Sequence, residues 1–196
     1  MPSEAQLSPS PRLIRDGKWF SWLAALCLLA TLAVDLLEVG ALAFRSERAG
    51  LMHGGFAFNV DLSWLHMADT VEAAFVPIGH FTVAQSLLCT ALLALRLLPG
   101  LVILWNLMRL FGMYGRGEVF TARNTHHIRI IAWALVAYAA VPLITHASLF
   151  AAGLSAVAVK LEVRQLDALV AGLIVLALAR VVSFGCAIDE DRQGFI

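Results

Sequence analysis

Charge is scarce in this sequence. Only 14% of its 196 residues are Asp, Glu, Lys or Arg, against about a quarter in an ordinary soluble domain. With 60% hydrophobic residues and a mean hydropathy of +0.81, the chain is excluded from the water-soluble class. Positive charge is not in excess either. The formal net charge is zero, so the bulk field that draws proteins to nucleic acid is missing and no direct nucleic-acid contact is expected. Cysteine is rare: Cys27, Cys89 and Cys186 stand far apart, each inside an apolar run, with neither metal-ligand spacing nor a disulfide framework. Gly112, Gly115 and Gly117 do not follow a strand of a βαβ unit and so form no phosphate cradle. No Ser-His-Asp or Cys-His arrangement is set on a strained elbow. These gaps give the expectation of a protein that is not an enzyme and carries no metal or cofactor.

What is present is long apolar runs. About 20 consecutive apolar residues cross a bilayer as a helix, and four runs reach that length, at roughly 20–44, 83–113, 128–152 and 166–186. The lipid bilayer is thus the first expected partner. The expected organisation is a flexible start over 1–17, one membrane domain over 18–188 and a tail over 189–196. Ala41-Leu42-Ala43 resembles a signal-peptidase site, but the preceding run exceeds the ~7–15 apolar residues of a cleavable signal, so the first helix is expected to be retained. Pro99 lies inside the second run and predicts a kink, since it frees the Leu95 carbonyl. Ala168 and Gly172 offer a small-residue packing face in the fourth run.

Two segments between the runs alternate apolar and polar residues: Phe56–Trp64, and Val157–Arg164. Alternation with period two is the pattern of a strand with one apolar face. The predicted fold is therefore an all-α integral membrane protein, a four-helix bundle with a small extracytoplasmic two-stranded β element. Positive charge sets the orientation. Arg12, Arg15 and Lys18 precede the first run, Arg109, Arg116, Arg123 and Arg129 surround the middle turn, and Arg180 and Arg192 close the chain. Arg45, Arg48, Lys160 and Arg164 on the other side are fewer for their loop length. Both termini are expected in the cytoplasm of a cell whose plasma (inner) membrane the protein crosses.

The stretch Tyr114–Tyr138 links a glycine-broken polar turn to an uninterrupted apolar helix. Gly115 and Gly117 permit a tight turn with positive φ, and Thr121 is a natural N-cap. The run GEVFTARN followed by IRIIAW resembles the central motif of a bacterial membrane family known as domain of unknown function 2975, with Gly117, Glu118, Val119, Phe120, Thr121, Asn124 and Arg129 at the motif positions. LALARVVSFGCAIDED resembles the family's last helix, departing from it at Arg180, where Glu is common, and at Val182 and Ser183, where a Phe-Arg pair is common. The resemblance brings no chemistry with it. It does imply a genetic neighbour, a small helix-turn-helix transcription regulator, and hence a regulatory role by binding. On that reading Arg116, Glu118, Phe120 and Arg123 are the candidate partner surface.

Asp35 and Glu38 share a face of the first run and Arg96 lies within the second. An ionised group at the bilayer centre costs roughly 2.5–3.5 kcal/mol on insertion scales, so it calls for a partner or water. A structural pair between Asp35 and Arg96 is one expectation. An ion-coupled transporter or permease subunit using Asp35, Glu38 and Arg96 is the alternative function, and with only four helices it would need to assemble as a homo-oligomer. A redox protein holding haem between His80 and His146 is a third and weaker reading. His53, His66, Asp69 and Glu72 have no recognisable ligand spacing.

Overall fold

The structure is a computed structural model that describes residues 11–45, 81–118, 121–154 and 163–193, with side chains up to Phe184 in the last segment. All of its regular structure is helical: α1 (Pro11–Ala43), α2 (Val83–Tyr114), α3 (Ala122–Ala151) and α4 (Val163–Gln193). Each is long and apolar enough to cross a membrane, with α4 doing so over Val163–Phe184.

α1 starts earlier than its apolar run, with Pro11 in the first helical position, where the missing N–H costs nothing. At 33 residues and a rise of 1.5 Å per residue it is about 50 Å long, more than the ~30 Å hydrocarbon core requires. Its basic first turns therefore project past the hydrocarbon. The predicted β element is not found. Phe56–Trp64 and residues 157–162 lie outside the described residues, but Val163 and Arg164, assigned above to the end of the second strand, form the first turn of α4. No strand occurs among the described residues. Alternation over eight residues cannot separate a strand from the approach to a helix when the run is this short.

Successive helices pack in series: α1 on α2, α2 on α3, α3 on α4, with little contact in the other pairings. The four described helices thus form an open array rather than a closed bundle. α3 is the most enclosed, with 33% of its apolar window buried against 6% in α1. α1 and α2 run antiparallel, since Gly17 near the start of α1 meets Gly115 past the end of α2, while Ser86 Oγ donates to the Leu42 carbonyl at the other end (2.6 Å). α2 and α3 are antiparallel across a short turn. Two apolar clusters mark the two ends. Leu42, Phe81, Cys89, Leu92 and Leu149 join α1, α2 and α3 at one end. Leu110, Met113 and Ile131 join α2 to α3 at the turn end.

Without water to expel, such helices adhere by close packing and interhelical hydrogen bonds. Small residues make the close approaches. A Cβ on Gly172 would lie 3.1 Å from the Ala132 carbonyl oxygen, so α4 seats on α3 there, on the face predicted from Ala168 and Gly172. Large apolar side chains such as Trp22, Leu37, Leu173 and Val181 remain exposed on α1 and α4, as expected of surfaces facing lipid. Pro99 and Pro142 are both buried within helices.

Candidate functional site

The turn between α2 and α3 is built from backbone outward. The Glu118 N–H donates to the Met113 carbonyl (3.0 Å) and the Gly117 N–H to the Tyr114 carbonyl (3.0 Å). That pair of bonds is a Schellman closure, which needs a left-handed residue. Gly117 supplies it at φ 83°. Gly115 does not; at φ −64° it stays helical, and its lack of a side chain serves the packing of Lys18 instead. On the far side Thr121 caps α3, its hydroxyl accepting from the Asn124 N–H (3.3 Å). Asn124 is fully buried, and its Nδ2 donates back to the Glu118 carbonyl (2.7 Å).

Four of the predicted motif residues, Gly117, Glu118, Thr121 and Asn124, are thus brought together, and their shared work is to close the turn. Phe120 lies outside the described residues. Arg116 and Glu118 form an exposed ion pair (3.1 Å), and Arg123 is exposed on the first turn of α3. A pair exposed to this degree contributes little to stability, typically under about 1 kcal/mol.

A buried polar contact one to two turns deeper was not foreseen. Asn106 Nδ2 donates to the Val102 carbonyl (2.8 Å), which turns Oδ1 toward His127 Nδ1 at 2.8 Å. Because Oδ1 can only accept, Nδ1 carries the hydrogen. Also unforeseen was the close seam between α1 and α2, where a Cβ on Gly17 would come within 2.5 Å of the Gly115 nitrogen and Ser21 Oγ donates to the Met108 carbonyl (3.1 Å). The spacing Gly17-x-x-x-Ser21 was the available signal, a small-xxx-small pattern placed among basic residues.

Within the spans, the register that sets Leu42 by Ser86 and Ser21 by Met108 puts Asp35 across from Leu93 and Ala94, most of a turn from Arg96. The expected pair does not form; the Arg96 charge acts on Glu38 instead. Asp35 Oδ2 is left buried with no hydrogen-bond partner. His146 is half-buried on α3, and its proposed haem partner His80 lies outside the described residues. No group of metal-ligating side chains occurs among the described residues.

Four apolar spans, two of them joined by a glycine-closed turn, define a multi-pass membrane protein. The chain belongs to the family described as "Protein of unknown function (DUF2975)", whose model matches residues 19–194. No curated protein and no solved structure matches it.

Proposed function

We propose that this is a non-enzymatic plasma-membrane protein that works by binding a cytoplasmic partner at the turn between α2 and α3. The observation that carries the reading is the division of labour in the turn. Backbone bonds, Gly117, Thr121 and Asn124 fix the two ends of the turn. The side chains of Arg116, Glu118 and Arg123 are left outside and available. A polar platform held rigid in advance loses little entropy on binding. Charged groups at its rim govern partner choice and encounter rate. The partner that the family resemblance implies is a small helix-turn-helix regulator, held or modulated at the membrane. Both termini lie on the same, cytoplasmic side.

The test replaces Arg116, Glu118 and Arg123 together, R116Q/E118Q/R123Q, which spares every backbone bond of the turn. Membrane insertion is checked first. Capture of the neighbouring gene's product should then fall at least about tenfold, a loss of roughly 1.4 kcal/mol. Normal insertion with undiminished capture rejects the turn as the binding surface.

A second reading, a small ion-coupled permease subunit, is favoured by Asp35 Oδ2, buried without a partner one turn from Glu38 and Arg96. Polar groups of this kind within spans mark ion paths. Liposomes carrying the protein, given an imposed potassium gradient and valinomycin, would then show proton flux by an internal pH dye. D35N would abolish it. Absence of flux in the wild type removes this reading.

A further inference from the structure

Beyond the turn itself, basic groups gather in the groove between α2 and α3 with no acid among them. The hydrogen bond from His127 to Asn106 Oδ1 locks the two helices together at that level. One helical turn nearer the turn end, Arg109 follows Asn106 on α2 and Arg123 precedes His127 on α3, each on the face of its neighbour. The groups acting electrostatically on His127 are His126, Arg109 and Arg123, all basic. His126 stacks edge-on against His127, with ring centroids 5.9 Å apart. The nearest acid of the turn, Glu118, is engaged by Arg116. Arg109 and Arg123 are both exposed, and neither pairs with a carboxylate among the described residues.

What lies deeper distinguishes this groove from a basic patch facing water. The Arg109 guanidinium sits over the Trp105 ring, 4.9 Å from its centroid. Trp105 is 47% exposed, and Leu98, two turns further in, is 55% exposed. On α3, Trp133 stands two turns beyond His126 and is 59% exposed. Charge at the mouth thus passes into aromatic and then aliphatic surface along α2, and into aromatic surface along α3.

We infer that this groove binds an anionic phospholipid, its phosphodiester between Arg109 and Arg123 and its acyl chains along Trp105, Leu98 and Trp133. Guanidinium groups suit phosphate because two N–H groups reach two oxygens at once. A basic pocket between spanning helices is the kind of place where anionic headgroups are held. The start of α3 adds the positive end of its dipole. A soluble phosphate would use the arginines but leave the apolar walls unused, which is why the lipid is the occupant. The inference shares Arg123 with the partner reading and is told apart from it by Arg109, which is not part of the platform.

The test titrates the detergent-solubilised full chain with phosphatidylglycerol, phosphatidylcholine and inorganic phosphate, counting bound ligand by native mass spectrometry. Phosphatidylglycerol should saturate a single site, and phosphatidylcholine should not. Each arginine near the surface adds about 1 kcal/mol of attraction to an anionic lipid, so R109Q/R123Q should weaken phosphatidylglycerol roughly thirty-fold. R12Q/R15Q, which removes equal charge from the same membrane end outside the groove, should leave the affinity within about twofold. R109Q alone should weaken the lipid while leaving partner capture unchanged. Equal binding of phosphatidylcholine, equal binding of inorganic phosphate, or equal losses from the two double variants overturns the inference. The wild-type comparison of the three ligands decides even if a variant fails to fold.

Discussion

Replacing Asn124 by aspartate keeps the size of a fully buried side chain but removes the donor to the Glu118 carbonyl. Two effects then compete. A carboxylate in the first turn of α3 gains about 0.3–1 kcal/mol from the helix dipole. Losing the bond and burying an unsatisfied carbonyl costs about 1–3 kcal/mol. N124D should therefore lower the thermal unfolding midpoint in detergent; an unchanged midpoint would mean that the clasp contributes nothing. The two glycines of the α1–α2 seam separate in the same way. G17A drives a Cβ into the Gly115 backbone, whereas G115A first meets the flexible Lys18 side chain. G17A should destabilise more, by the same unfolding measurement, and the reverse order would place the seam elsewhere. Gly117 and Thr121 were readable in the sequence because caps and turns are local chemistry. Gly17 was legible only as part of a small-xxx-small spacing, because the residue that makes it necessary, Gly115, is distant in the chain.

At the scale of helices, hydropathy was a reliable guide to existence and a poor one to ends. α1 begins at Pro11 because Arg12 to Asp16 are compatible with helix even though they are not apolar. α4 continues to Gln193 for the same reason. The Val157–Arg164 alternation misled because its last residues belong to a helix start. The Asp35–Arg96 pairing failed through register: Asp35 lies across from Leu93 and Ala94, and the Arg96 charge acts on Glu38. Serial packing gives its own prediction. Among the described residues α4 is held chiefly by α3, with Gly172 at the close approach. In a cysteine-free background, spin labels at Trp133 and Leu178 should give a broadened, longer distance in G172L. Labels at Leu26 and Leu98 should report an unaltered α1–α2 pair. If both distances hold, the small residue is incidental to docking.

For the molecule as a whole, the open array makes the two ends unequal. One end is joined by apolar packing of Leu42, Phe81, Cys89 and Leu149 across three helices. The other carries the turn, the basic start of α1 and the groove lined by Arg109 and Arg123. Neither the seam geometry nor the groove could be read from charge counts, which do not say which side chains converge. Binding of a cytoplasmic partner at the turn requires the second end to face the cytoplasm. The most direct measurement is a pair of topology reporters, alkaline phosphatase and a cytoplasmic fluorescent protein, fused after Gly54 and after Gly117. Phosphatase activity is expected after Gly54 and fluorescence after Gly117, with the full-length protein retaining its first helix. Fluorescence after Gly54 with phosphatase activity after Gly117 would put the turn outside the cell and contradict the binding platform altogether.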